Sequence, residues 1–258
     1  YWITEPIPLP VTALLGSGLC VLTGLGSMKD VFSAYAHPII FLFIGSFFLA
    51  EALVVHGLDK RFGLWILSHP WVGANPVRVF IAMGGTAAIL SMGISNTAAT
   101  ALMLPIALGV LTTMRGAEGQ LTGYETGLLL FLAYGAGVGG VATIIGTPPN
   151  LIGVGLLAEQ ANISISFLTW MAIGVPLALV MLVVTSVVLL QLHPPPASIP
   201  NFAATLKLER TSLGKWSIGE RHACLVFGLA VGLWMVPGLL SAWFGSDHAL
   251  VSWFALHL

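Results

Sequence analysis

Between residues 78 and 114 two apolar arms, each about half a bilayer helix in length, meet at the polar sequence Ser91-Met92-Gly93-Ile94-Ser95-Asn96-Thr97. A polar tip between two apolar arms is the sequence form of a re-entrant hairpin, in which two helix ends meet inside a membrane and face a cavity rather than lipid. The rest of the chain is consistent with such a setting. Of its 258 residues 57% are hydrophobic and only 7% charged, and the mean hydropathy is +0.97. That composition excludes a soluble globular domain and implies an all-α polytopic membrane protein.

The net charge of −1 comes without a basic patch or acidic tail, so nothing calls for a nucleic-acid partner. Cys20 and Cys224 lie far apart in apolar segments and read as small buried hydrophobes. The chain begins with Tyr1 and its last residues, 249–258, open another apolar segment; both features lead to the expectation of a piece of a longer protein.

In chain order, Trp2, Thr4, Glu5 and three prolines give an extended turn over residues 1–10, and residues 11–25 a short span. Lys29 and Asp30 mark a loop, and His37-Pro38 opens a helix over residues 39–57, long enough to cross once. Residues 58–76 differ in kind: Asp59, Lys60 and Arg61 precede Phe62, Leu64, Trp65, Ile66 and Leu67, a charged, Trp-bearing helix suited to lie along the membrane surface against lipid. The hairpin arms follow at 77–94 and 97–114. Residues 126–158 are too long for one straight helix, and Ile145-Gly146-Thr147-Pro148-Pro149-Asn150 breaks them, because two prolines remove two backbone donors and disfavour helix before them. Residues 166–192 form a long span with a kink near Pro176, residues 193–221 an extended polar segment, and residues 222–244 a further span before a short turn at 245–248.

Loop charge sets an orientation. If Lys60, Arg61, Arg78, Arg115, Lys207, Arg210, Lys215 and Arg221 share one face, only Lys29 of the 9 basic residues is left on the other. The basic face, comprising the 58–78 region, the 115 region and 193–221, is then cytoplasmic. Two full crossings at 78–114 would give the same parity, so the polar tip alone argues for a hairpin.

At that tip the first arm ends in unsatisfied carbonyls and the second begins with unsatisfied amides. Ser95 and Asn96 are strong N-cap types, so the second arm starts at Ser95-Asn96-Thr97. Carbonyl ends suit a sodium ion and amide ends an oxyanion, so one turn can serve both. Ser91, four residues before Ser95, is expected on the same helix face as a further hydroxyl ligand. Gly146-Thr147-Pro148-Pro149-Asn150 repeats the logic: the prolines expose carbonyls that no helix amide can claim, and Gly146 admits a second backbone. Taken singly, the first motif also serves for inter-helical hydrogen bonding and the second for a simple kink. Two adjacent breaks favour a shared site, and the lack of Lys or Arg within any span calls for bound cations to offset an anion. Glu51, near His56, reads as snorkelling or locally paired; His37, His69 and His193 read as interfacial. Ser95 has no His, Lys or Asp at matching depth, which argues against an intramembrane hydrolase and against an enzyme generally.

These residues resemble the divalent-anion:sodium symporter family (DASS, INDY-type), which includes sodium/dicarboxylate cotransporters. The likeness rests on Tyr1-Trp2-Ile3-Thr4-Glu5, Pro8-Leu9-Pro10-Val11-Thr12-Ala13, His37-Pro38-Ile39-Ile40-Phe41-Leu42-Phe43-Ile44-Gly45, the hairpin Leu90 to Ala101 with Leu104-Pro105, and the break Gly139 to Asn150. The resemblance implies an inverted-repeat, elevator-type fold working as a homodimer. It implies scaffold helices at 1–57, an interfacial arm at 58–76, a transport-domain part at 77–192, a cytoplasmic linker at 193–221 and a scaffold helix at 222–258 opening a second repeat. It assigns a substrate carboxylate to Ser95, Asn96 and Thr97, and Na+ to Ser91, Ser95, Asn96 and Gly146, beside the helix-break residues Thr147, Pro148, Pro149 and Asn150. No second Ser-Asn-Thr hairpin or second Pro-Pro-Asn break follows Asn150, so half of the substrate site and a second sodium site lie outside this sequence. The expectation is sodium-coupled symport of small dicarboxylates such as succinate or malate. The alternatives are a sulfate or other oxyanion carrier and a proton-coupled or exchanging relative.

Overall fold

The computed structural model describes residues 1, 3–36, 38–114, 123–197, 199 and 202–244. Trp2, His37, Arg115 and the 245–248 turn therefore lie outside the described residues. All regular structure among the described residues is helical. The chain divides into two compact units, residues 1–45 and 46–258.

In the first unit, α1 (Leu9–Leu22) starts with Pro10 in its first turn and buries none of its residues. Lys29 and Asp30, expected in a loop, lie instead on the short helix α2 (Met28–Ser33). Ser27 nucleates it: its hydroxyl accepts from the Asp30 amide at 3.1 Å and donates to Asp30 Oδ2 at 2.6 Å, closing a local cap. A single 3₁₀ turn over Ala34–Ala36 follows, and Tyr35 Oη bonds Ser17 Oγ at 2.8 Å.

The division falls within α3 (Pro38–Val55), whose exposed Glu51 belongs to the second unit. Gly57, at φ 69°, then turns the chain by 66° into α4 (Leu58–Leu67). α4 is amphipathic, burying Asp59, Gly63, Leu64 and Leu67 while Phe62 and Trp65 stay exposed.

Next come α5 (Pro76–Ser91), α6 (Asn96–Met114), α7 (Gly123–Val141), α8 (Pro148–Ala161) and α9 (Phe167–Leu192). α5 and α7 form the centre of the core. Phe80 stacks on Phe131 at 4.7 Å between ring centres, and the buried Tyr124 hydroxyl donates to Pro76 O at 2.8 Å. Asn75 caps α5 by accepting from the Arg78 amide at 3.1 Å, and Ser166 caps α9 in the same way through the Thr169 amide.

Two boundaries differ from the sequence expectation. The polar stretch 193–221 contains a helix, α10 (Phe202–Ser212), and α11 (Ile218–Phe244) begins before residue 222. Ser217 and Glu220 account for the early start, since Ser217 Oγ accepts from the Glu220 amide at 3.1 Å and Glu220 Oε2 accepts from the Ser217 amide at 2.6 Å. This reciprocal pair satisfies two donors that a helix start leaves open. α9, with 26 residues, runs unbroken through Pro176; it and α11, with 27, are long and apolar enough to cross a membrane. The bent α3–α4 pair would make a third crossing if it were one span. Cys20 is half-buried and Cys224 is exposed, so the second does not fit the buried reading.

Candidate functional site

The turn between α5 and α6 is built by tightening one helix and capping the next. The Met92 and Gly93 amides bond back to the Ile89 and Leu90 carbonyls at 3.2 and 3.0 Å, closing α5. Ser95 then caps α6, its hydroxyl accepting from the Ala98 amide at 3.2 Å while its carbonyl accepts from Ala99 at 2.9 Å. Because residues 92–95 form this turn, Ser91 and Ser95 do not share a helix face. Ser91 is fully buried, and its hydroxyl donates instead to Asn96 Oδ1 at 2.5 Å. Ser95 and Thr97 are exposed and Asn96 is half-buried.

The second break, residues 142–147 between α7 and α8, packs directly against this turn. Thr143, 4% exposed, joins the two: its hydroxyl donates to Met92 O at 2.6 Å and accepts from the Gly146 amide at 3.0 Å. The contact depends on missing side chains. A methyl on Gly146 would lie 2.6 Å from Gly140 O and 2.9 Å from Ser91 O, and one on Gly140 would collide with Asn96 Oδ1. Ser91, Asn96, Gly140 and Gly146 are thus brought together, whereas the exposed Pro148 and Pro149 stand at the start of α8.

The carbonyls freed by the break do not all stay available. Asn150, 8% exposed, donates its amide to Gly140 O at 2.9 Å and Thr143 O at 2.8 Å. The Trp170 indole from α9 donates to Val141 O at 2.9 Å. These side chains replace the missing helix amides, as a buried carbonyl requires. Sequence reading placed Asn150 in the motif but missed Thr143 and Trp170. Thr143 stands within Gly140-Val141-Ala142-Thr143 with no local pattern to mark it, and Trp170 reaches the break only through the packing of α9.

The residues at the junction are neutral: hydroxyl, carboxamide and carbonyl oxygens, with amide donors at the N-terminus of α6. Oxygen ligands without carboxylates suit a weakly bound monovalent cation, and an N-terminal turn rich in hydroxyl and amide donors suits an oxyanion. Asn96 offers both chemistries, because an oxygen held by the Ser91 hydroxyl commits the other end of its carboxamide to donation.

Residues 1–255 match the model of a family described as citrate transporter. The chain is also 32% identical over 252 residues to the sodium-dependent dicarboxylate transporter SdcS of Staphylococcus aureus strain USA300, covering 94% of this chain and 48% of that protein. The same protein from strain NCTC 8325 / PS 47 matches with the same identity and coverage. The chain spans about half the length of the curated relatives it matches.

Proposed function

The chain belongs to the citrate transporter family, and on that premise we propose that it contributes to a sodium-coupled carrier of small dicarboxylates such as succinate or malate. Family membership puts it among membrane carriers rather than enzymes. Ser95, Asn96 and Thr97 bind one substrate carboxylate, using hydroxyl and amide donors at the start of α6. Na+ enters as co-substrate beside Ser91, Ser95, Asn96 and Gly146, and the break residues Thr147, Pro148, Pro149 and Asn150 keep that second backbone in reach. The observation that carries the reading is the meeting of the two helix breaks through Thr143, Gly140 and Gly146.

The residues fit a sodium ion better than a divalent one. Their oxygens are neutral and several are backbone carbonyls, which gives a charge-poor site. Shared use of Asn96 links the two bound species: a cation at its oxygen draws charge from the carboxamide and strengthens its N–H donors toward the carboxylate. An uncompensated carboxylate at membrane depth is costly, so each partner raises the affinity of the other.

In the same reading the molecule is an inverted-repeat elevator acting as a homodimer in the plasma membrane. Residues 1–57 and 222–258 contribute to the scaffold, 77–192 to the transport domain with α5–α6 as its re-entrant hairpin, and 58–76 to an interfacial arm. Residues 58–78, 193–221 and the 115 region face the cytoplasm.

The test is uptake of labelled succinate by the full-length protein in proteoliposomes, with and without an inward sodium gradient, beside Asn96→Ala. Sodium-stimulated uptake that the substitution abolishes is the expected result. Uptake indifferent to sodium but driven by a proton gradient or by internal dicarboxylate would overturn the coupling. Sulfate uptake with succinate ignored would overturn the substrate class, and transport intact in Asn96→Ala would overturn the site.

A further inference from the structure

A cavity lies on the side of the α5–α6 turn that faces α4 and α11, where Ile94 of the turn contributes to its wall. It measures about 560 Å³ and is walled by α4, the C-terminal end of α5, the end of α10 and α11. Its volume falls within the range of small-molecule sites, roughly 300–1,000 Å³. Phe62, Trp65, Ile89, Leu90 and Phe227 make it almost wholly apolar. Two charged groups in its wall stand out against that lining. Asp59 is 3% exposed; its Oδ1 accepts from the Lys60 amide at 2.7 Å, but its Oδ2 is buried with no hydrogen-bond partner. Arg210 is exposed and, among the described residues, makes no ion pair.

The neighbouring charges are already matched. Arg61 is held by Glu220 at 2.7 Å and lies over the Trp216 ring, and Lys60 pairs with Glu209 at 2.9 Å. What is left unmatched around the cavity is one acid needing a donor, one base needing an anion, and the apolar volume that both of them line. An orphaned buried carboxylate oxygen is costly, so its retention points to an occupant that donates to it.

We propose that this cavity is a binding site for an ethanolamine phospholipid, whose primary ammonium donates to Asp59 Oδ2, whose phosphate meets Arg210, and whose acyl chain fills the apolar volume. The zwitterionic headgroup matches the acid and the base in one molecule. Choline phospholipids do not: a trimethylated ammonium has no N–H to give. Phosphatidylglycerol supplies the phosphate without a cation. The inference rests on the proposed surface position of α4, whose exposed Phe62 and Trp65 are the kind of side chain found where headgroups lie.

Cys224 is exposed and lines the same cavity, which makes its thiol a reporter of occupancy. The full-length protein, with Cys224 as its sole cysteine, is placed in nanodiscs of phosphatidylethanolamine, phosphatidylcholine or phosphatidylglycerol, and its maleimide labelling is timed. The expected result is labelling several-fold slower in phosphatidylethanolamine than in the other two lipids, with the difference lost in Asp59→Asn and reduced in Arg210→Gln. Equal labelling in all three lipids, or a difference that survives Asp59→Asn, overturns the site. A thiol blocked in every lipid and in lipid-stripped detergent also overturns it, since polypeptide would then fill the cavity. Succinate uptake in the same preparations separates this proposal from the transport reading. Lipid-specific protection without sodium-driven uptake leaves the site standing, and sodium-driven uptake with equal labelling removes the site alone.

Discussion

Thr143 concentrates the junction of the two breaks into one hydroxyl. It donates to Met92 O and accepts from the Gly146 amide, so Thr143→Val keeps the shape, leaves the Met92 carbonyl without this donor and leaves the Gly146 amide only its long 3.4 Å bond to Thr143 O. Each such loss costs about 1–3 kcal/mol. Thr143→Val is expected to lower the thermal midpoint of the detergent-solubilised protein and reduce sodium-dependent uptake, whereas Thr143→Ser retains both. Gly146→Ala tests the same junction from the other side: its methyl falls against Gly140 O and Ser91 O, both backbone atoms, and the strain is expected to cost about 1–3 kcal/mol in denaturant unfolding. At this scale the sequence was legible where the chemistry is local. Ser95 could be read as a cap because capping needs only its neighbours. Ser91 could not be placed from its spacing to Ser95, because a count of four assumes a helix and a turn lies between them. Thr143 had no local mark at all, since its partner Met92 is 51 residues away in sequence.

Arg61 ties α4 to two later elements. Its Nε and Nη2 fork onto the two Glu220 oxygens, at 2.7 and 3.2 Å, while Nη1 donates to Gly214 O and Nη2 also reaches Leu213 O and Lys215 O just beyond α10. A lysine offers one ammonium in place of this planar fork, so Arg61→Lys is expected to lose most of the latch. Removing one partner of a mostly buried pair costs about 3 kcal/mol, and a double-mutant cycle of Arg61→Ala with Glu220→Gln should show strongly non-additive unfolding free energies. Beside this latch, burial pushes the Asp59 carboxyl up to about 6. Between its ordinary value and that raised one the folded protein binds the extra proton, so Asp59 opposes folding increasingly as pH climbs from about 4 to about 6. In lipid-stripped detergent, Asp59→Asn should therefore be more stable than the parent near pH 8, by on the order of 2 kcal/mol, and indistinguishable from it near pH 4. Thermal unfolding at the two pH values checks the sign. The helices themselves were readable from apolar runs and prolines. α10 was not, because its charged sequence carries no apolar run and its place depends on the Lys60–Glu209 contact with α4. The early start of α11 was present in the sequence as Ser217-Ile218-Gly219-Glu220, a capping box that the polarity of its surroundings obscured.

For the whole molecule the sparse charges become the strongest lever. With only 9 basic residues, placing all but Lys29 on one face gives an asymmetry that membrane insertion reads directly. The Arg61–Glu220 and Lys60–Glu209 pairs join α4 to α10 and α11, so Lys60, Arg61, Lys207, Arg210 and Lys215 belong to one cluster of elements, and a single topology must place them together. α11 leaves that cluster as an apolar helix long enough to cross, and α9 enters from the opposite direction along the chain. On the proposed orientation, a cysteine introduced at exposed Lys215 reacts with a membrane-impermeant maleimide in inside-out vesicles and not in intact cells. One introduced at exposed Lys29 shows the reverse pattern. Both sites reacting from the same side would mean that the number of crossings between them differs from the proposed one by an odd number. The most direct source would be α3 and α4 acting as a re-entrant pair that returns to the face it left, and α4 would then cease to be an arm on the cytoplasmic surface. That outcome would also remove the headgroup-level position on which the lipid site depends, while leaving the contact between the two helix breaks untouched.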